Sequence, residues 1–175
     1  MGQYFKPISI DKNESLSAHD FDNGLKLMEH SWIGNEFVNV VENLIMRGGK
    51  WFNTKIVWGG DYADGEAGDD SENLYAISNK INPKFGVKIS GLRYILNLDT
   101  REFVDINKIP VSETYEGFDY IVHPLPLLTC EGNGRGGGDY NNKESSLIGK
   151  WSRNRVTIQK SKPKNAKELM FDLTE

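Results

Sequence analysis

The sequence predicts an α+β fold whose sheet is mostly antiparallel and is built from two diverged repeats. Segments with the β-branched and aromatic content of strands outnumber segments with helical periodicity. Short strands that alternate with tight turns favour antiparallel pairing. With 175 residues, of which 38% are hydrophobic, the chain is long enough to form one compact domain over residues 1–175.

The first element of each repeat is a hairpin with the same pattern. Residues 8–16 read ISIDKNESL and residues 96–104 read LNLDTREFV, with apolar positions, an aspartate and a glutamate at the same spacing. Both stretches are typical of a strand, a tight turn and a returning strand. Asp11 and Asp99 stand where a side chain can accept a hydrogen bond from the turn backbone. We therefore interpret these acidic residues as parts of turns rather than as catalytic pairs.

A strand that begins with Gly-Lys-Trp follows in both repeats. Residues 49–57 read GKWFNTKIV, and residues 149–157, one hundred positions later, read GKWSRNRVT. An L-x-L segment precedes each of them at the same spacing, at 25–28 and at 125–128. Because hairpin, L-x-L segment and Gly-Lys-Trp strand recur in one order, the sequence predicts pseudo-repeats at about 3–64 and 91–160.

The clearest single element is a helix at about 36–47, in the first repeat. Asn35 can cap its N-terminus, Gly48 can end it, and apolar residues recur at helical spacing between them. In the second repeat the corresponding region, 131–146, reads EGNGRGGGDYNNKESS, and glycine disfavours helices by about 1 kcal/mol per residue relative to alanine. We therefore expect a helix in one repeat and a loop in the other.

An acidic loop and a short helix are expected to join the repeats. Residues 61–72 read DYADGEAGDDSE, with six acids and no base, and Ser71 could cap a short helix that ends before Asn82-Pro83. The tail at 167–173 is compatible with a last strand or a helical turn. Other strands are expected from their β-branched and aromatic residues at 55–58, 92–98, 120–123 and 155–159.

The composition restricts the class of protein. No apolar run reaches the ~18 residues of a membrane span, and the N-terminus lacks the basic and apolar blocks of a signal peptide, so we expect a cytoplasmic protein without a membrane partner. One cysteine and three histidines without zinc spacing predict no metal site, and we expect no cofactor. The net charge of −4 disfavours duplex nucleic acid as a partner. Residues 149–167, however, carry seven bases and no acid, and this basic segment could face phosphate or solvent.

A glycine-rich segment gives the strongest indication of a binding site. Residues 132–138 hold five glycines and Arg135, but their spacing matches neither a P-loop nor the dinucleotide G-x-G-x-x-G motif. Glycines can turn backbone N–H groups toward an anion, and an arginine can bind phosphate or carboxylate through two hydrogen bonds. The alternatives are a flexible surface connection, or glycines that allow close packing against Trp151.

The sequence therefore predicts a ligand site with two parts. The first part comprises Asn133, Gly134, Arg135, Gly136, Gly137, Asp139, Tyr140, Trp151, Arg153 and Arg155. The second part, which follows a strand directly and would place the site between the repeats, comprises Asp61, Tyr62 and Asp64. Trp51 and Trp151 are interpreted as equivalent core anchors, with stacking of Trp151 on a base as the alternative.

The same motifs resemble a family of uncharacterised proteins from phages and bacteria. The matching stretches are MGQY (1–4), GLKLME (24–29), GKWFNTKIVWGGDYAD (49–64), NGRGGGD (133–139) and GKWSRNRV (149–156). The resemblance spans most of the chain but implies no established activity or cofactor. It implies a phage setting, which would place the protein in the host cytoplasm and suggest interference with host signalling or defence.

The sequence therefore predicts a binding protein that captures a small anionic, nucleotide-like ligand through the glycine-rich segment. One alternative is a hydrolase or transferase on a phosphate-containing substrate, with Asp139, Asp61 or Glu131 as acid, base or metal ligand. Another is an inhibitor that binds a host protein through the acidic loop. Of these, we expect binding rather than catalysis.

Overall fold

A mixed sheet forms the centre of the protein. The computed structural model describes residues 2–68, 72–83, 89–132 and 146–173. The strands in these ranges are β1 (Phe5–Ser9), β2 (Glu14–Ser15), β3 (Lys55–Gly60), β4 (Asn79–Lys80), β5 (Tyr94–Asn97), β6 (Glu102–Asp105), β7 (Glu113–Tyr115), β8 (Phe118–Tyr120), β9 (Cys130–Glu131), β10 (Asn154–Gln159) and β11 (Lys167–Glu168). The main sheet has the order β11-β6-β5-β10-β3-β1-β2-β4, with β9 beside β3, whereas β7 and β8 form a separate hairpin.

Most neighbouring strands of the sheet run antiparallel. This holds for β1 with β2 and β3, for β10 with β3 and β5, and for β5 with β6. Three short strands pair in parallel instead: β4 with β2, β11 with β6, and β9 with β3. The predicted α+β class with a mostly antiparallel sheet is confirmed.

Four α-helices lie in the described ranges: α1 (Leu27–His30), α2 (Glu36–Ile45), α3 (Leu74–Ile77) and α4 (Pro124–Thr129). The predicted helix is α2, which Asn35 caps by accepting the N–H groups of Phe37 (2.9 Å) and Val38 (3.3 Å). It ends at Ile45, two residues earlier than predicted. None of the helices described here has the length and apolar character needed to cross a membrane.

The strand predicted at 120–123 is wrong except at Tyr120. β8 ends at Tyr120, and Val122 forms only an isolated bridge with Trp32. His123 is instead the N-cap of α4, because its Nδ1 accepts the N–H of Leu125 (3.1 Å) and Pro124 occupies the first helical position, where proline fits. The linking helix α3 is capped by Asn73, whereas Ser71 lies outside the described residues.

Helix α4 is an element that the sequence did not predict, whereas most of the loop expected at 131–146 lies outside the described residues. The backbone N–H of Trp51 donates to Leu44 in α2 (2.8 Å), and that of Trp151 donates to Leu128 in α4 (2.7 Å). Both Gly-Lys-Trp segments therefore rest on the end of a helix. Residues 125–128 resemble the L-x-L segment at 25–28 in sequence, so the pattern there did not indicate a helix.

The two halves repeat further contacts. The indole N–H of Trp51 donates to Glu14 (3.0 Å), and that of Trp151 donates to Glu102 (3.3 Å). Ile8 pairs with Ser15 and with Val57, and Leu96 pairs in the same way with Phe103 and with Thr157. The two hairpins therefore meet their Gly-Lys-Trp strands in the same register.

The hairpin aspartates bind backbone, but not the backbone of their own turns. Asp11 accepts the N–H of Lys55 (2.6 Å), and Asp99 accepts the N–H of Arg155 (2.8 Å), each at the start of the neighbouring strand. In the second turn it is Asn97 that accepts the turn N–H groups of Asp99 and Thr100. The acidic residues tie each hairpin to its Gly-Lys-Trp strand, which supports a structural role.

Candidate functional site

The glycine-rich segment lies outside the described residues except for Gly132, and the residues before it are described. The predicted ligand residues in that segment are Asn133, Gly134, Arg135, Gly136, Gly137, Asp139 and Tyr140. Glu131 of β9 lies opposite Gly59 of β3. A Cβ atom on either Gly60 or Gly132 would collide with the side chain of Gln3, so the three residues pack closely. The glycine-rich segment therefore begins beside the strand that leads into the GDYAD motif at 60–64.

In the second part of the predicted site, Asp61 is a structural residue. Its carboxylate accepts the N–H of Tyr4 (2.9 Å), and its own N–H donates to the carbonyl of Tyr4 (2.9 Å). The side chain of Asn73 donates to its carbonyl oxygen (3.0 Å). Tyr62 is half-buried and Asp64 is exposed. Asp61 thus anchors the N-terminal strand and the start of the acidic loop.

Arg153 is held between two carboxylates. Its guanidinium donates to both oxygens of Glu131 (2.7 and 2.6 Å) and to both oxygens of Glu66 (3.0 and 2.5 Å). The hydrogen bonds from Arg153 lower the pKa of Glu131, and those to Glu131 and Glu66 raise the pKa of Arg153. One guanidinium between two carboxylates leaves a net charge of −1, which repels an anion.

Arg155 and Trp151 are also engaged in the fold. Arg155 donates to the carboxylate of Asp99 (2.7 Å) and to the side chain of Asn53 (3.0 Å). Trp151 has no exposed surface, and its indole N–H is bonded to Glu102. A ligand cannot stack on its ring without repacking the core. The stacking alternative for Trp151 is therefore corrected in favour of a core anchor.

A concave surface elsewhere on the protein is lined by basic residues. A cleft of about 510 Å³ is lined by Arg47, which follows α2, by β5 and β10 and by the basic segment that follows β10. Its charged lining residues in the described ranges are Arg47, Arg101 and Lys164, and no carboxylate of those ranges lines it. We call it the basic cleft. Its volume falls in the range typical of small-molecule sites.

The arginines of the described ranges divide into two groups. Arg93, Arg153 and Arg155 each form an ion pair with an acidic residue. Arg47 and Arg101 have no carboxylate partner in those ranges, and both line the basic cleft. A guanidinium without a carboxylate partner keeps its full positive charge for an incoming anion. Within the described ranges, the arginine charge that is not paired with a carboxylate is therefore concentrated in this cleft.

Local structure positions both Arg47 and Arg101. Arg47 follows the C-terminus of α2, where the helix dipole favours positive charge. Arg101 adopts a positive φ of 58° in the β5–β6 turn, and it donates to the backbone carbonyls of Lys164 (2.7 Å) and Asn165 (3.4 Å). Because these acceptors are neutral carbonyls, they orient the guanidinium without cancelling its charge.

Apolar side chains complete the cleft. Phe52, Leu96 and Leu98 line it together with the cations. Phe52 is half-buried, and Leu96 has only 4% of its surface exposed. A ligand with both an anionic group and a flat apolar part can contact both kinds of lining residue.

Sequence reasoning missed Arg47 and Arg101 because it searched near the glycine-rich segment. The available signal was the basic segment at 149–167, whose residues Ser161, Pro163 and Lys164 do line the cleft. Within the part of the chain that the structure describes, no group of three or more His, Cys, Asp or Glu side chains is arranged to hold a metal ion. No family model, curated protein or solved structure matches this chain.

Proposed function

We propose that the protein binds a small anionic ligand in the basic cleft. The observation that carries this proposal is the concentration there of Arg47 and Arg101, the two arginines of the described ranges without a carboxylate partner. The ligand class is the one expected from the sequence, but the cleft replaces Arg153, Arg155 and Trp151 as its site. The glycine-rich segment stays a prediction for a second contact.

The lining favours a ligand with a phosphate or carboxylate group attached to a flat apolar ring. Guanidinium groups bind such oxyanions through paired, charge-assisted hydrogen bonds. Phe52 and Leu98, which are partly exposed, offer the apolar surface that a nucleobase or similar ring would cover. A nucleotide combines both features. In the phage setting that the family resemblance implies, capture of a nucleotide-like signal would counter a host defence system.

We further propose that the two halves are diverged copies of one unit and that the cleft is where they differ. The repeated contacts of the two Gly-Lys-Trp segments and hairpins support this view. At the position that corresponds to Arg101, Asn13 donates to a carbonyl of α3 (3.4 Å), and Leu74 of α3 packs with Ile8 and Val57. A helix therefore covers this surface in the first half, whereas the second half leaves a cleft.

A titration with nucleotides tests the function. We expect a mono-, di- or cyclic nucleotide to bind with measurable heat in isothermal titration calorimetry, and Arg101→Gln and Arg47→Gln each to weaken it about tenfold or more, because each removes charge-assisted hydrogen bonds. Lys12→Gln, which removes one exposed charge from the turn of the first hairpin, is the matched control and should leave affinity unchanged.

Two results would contradict the proposal. One is the absence of binding for every nucleotide and for simple organic phosphates and carboxylates. The other is equal weakening by Lys12→Gln and Arg101→Gln, since that would indicate a general charge effect rather than a site. Raising the salt concentration should weaken specific binding by the cleft, because the contacts are partly exposed.

A further inference from the structure

A second cavity, of about 540 Å³, has a buried carboxylate in its lining. It is lined by α2, by residues 89–93 and by the 3₁₀ turn Ile106–Lys108. Asn39, Glu42, Arg93 and Asn107 are among its polar lining residues. We call it the Glu42 cavity. None of the residues predicted from the sequence to bind ligand is among its described lining residues.

Glu42 is buried on α2 with a neutral imidazole as its partner. It is 7% exposed, and its Oε1 lies 2.6 Å from Nε2 of His123, which is 1% exposed. His123 Nδ1 accepts the N–H of Leu125 (3.1 Å), so this nitrogen carries no hydrogen. The ring hydrogen is therefore on Nε2, which donates to Glu42. In this tautomer His123 gives Glu42 a hydrogen bond but no compensating charge.

The other charges at the cavity do not compensate Glu42 either. Arg93 lines the cavity, but its Nε and Nη2 donate to the two carboxylate oxygens of Asp105 (2.8 and 2.8 Å). With Glu42 and Asp105 at −1 each and Arg93 at +1, these groups sum to −1. A buried carboxylate without a countercharge is costly, and a cation that enters the cavity would offset that cost.

A second polar side chain on the same helix is left without a partner among the described residues. Asn39 stands three positions before Glu42, so the two lie on one face of α2. It is 8% exposed, lines the cavity, and has a carboxamide that forms no hydrogen bond within the described ranges. Buried amides are normally hydrogen-bonded, so this group is available to a ligand.

From this geometry we propose that the Glu42 cavity binds a small organic amine, with the ligand's ammonium group on Glu42 and a further polar group on Asn39. The ammonium supplies the missing positive charge and donates to the carboxylate. The amide can donate to or accept from a hydroxyl, amide or second amino group. This site is separate from the basic cleft and does not depend on the function proposed for it.

Calorimetric titration of the whole protein with putrescine, spermidine and agmatine tests this site. We expect at least one amine to bind, and Glu42→Gln to weaken it about tenfold or more, since a charge-assisted hydrogen bond becomes a neutral one. Glutamine can still accept from His123, so the fold should be retained. Glu36→Gln is the matched control, because it removes an exposed carboxylate from the same helix and should leave affinity unchanged.

Thermal unfolding without ligand gives a second readout. Glu42→Gln should unfold at a higher temperature than the wild type, because it removes an uncompensated buried charge, and added amine should no longer stabilise it. The proposal is overturned if no amine binds at millimolar concentration, if Glu36→Gln weakens binding as much as Glu42→Gln, or if Glu42→Gln lowers the unfolding temperature.

Discussion

Among single residues, His30 shows most clearly how burial controls charge. The side chain has no exposed surface, its Nδ1 lies 2.9 Å from the carbonyl of Gly24, and its Nε2 accepts the indole N–H of Trp58 (2.9 Å). Nδ1 therefore carries the ring hydrogen. Burial lowers the pKa of His30 below its usual 6.5. A proton on Nε2 would face the N–H of Trp58, so the folded protein requires the neutral ring.

This requirement predicts a loss of stability in mild acid. Because the folded-state pKa of His30 is below the unfolded value of 6.5, its contribution is complete above pH 6.5 and declines as the pH falls toward the folded-state pKa. We expect the unfolding temperature to drop as the pH falls below about 6.5. His30→Gln should reduce that drop. An equal drop in both proteins would assign the effect to other groups.

Among the elements, α2 links the core to both proposed sites. Its apolar residues Phe37, Val41 and Ile45 are buried in the main core. Asn39 and Glu42 line the Glu42 cavity. Arg47, just beyond the C-terminus of α2, lines the basic cleft. One short helix therefore positions groups of opposite charge on two surfaces. A change that loosens α2 should weaken both sites together.

The N-cap of α2 allows this dependence to be measured. Asn35→Ala removes the acceptor for two N–H groups and should lower the free energy of unfolding by about 1–2 kcal/mol in urea titrations. Asn35 also donates to Asn23 (2.7 Å). Asn35→Ser keeps a cap acceptor but loses that contact, so it should recover part of the loss. If serine is as destabilising as alanine, the bond to Asn23 rather than the cap is what stabilises the helix.

For the whole molecule, local patterns predicted the elements and non-local pairing decided the site. Strands β3, β5 and β10 and helix α2 follow from periodicity, capping and β-branched content, which act within a few residues. Helix α4 was not predicted, because its run of proline and leucine lacks the polar positions that give a helix its amphipathic pattern. The basic cleft was not predicted, because it depends on which arginines lack a carboxylate partner in the folded protein. Arg153 meets Glu66 and Glu131 only after the chain has folded.

The core itself extends across both halves. Trp51 and Trp151 have no exposed surface and belong to one hydrophobic cluster. The two halves of the sheet are joined where β3 pairs with β10, with Lys55 opposite Arg155. Neither half buries its tryptophan in a separate core. We therefore expect residues 1–175 to unfold as one cooperative unit, as a single domain does.

Conservative tryptophan substitutions test that cooperativity. Trp51→Phe and Trp151→Phe each create a cavity and remove an indole hydrogen bond, so each should lower the free energy of unfolding by about 2 kcal/mol. Both should shift one transition that far-UV circular dichroism and the fluorescence of the remaining tryptophans report alike. Trp32→Phe, at a partly exposed position outside the main cluster, should cost less. Two separate transitions, each moved by only one substitution, would show two independently folding halves instead.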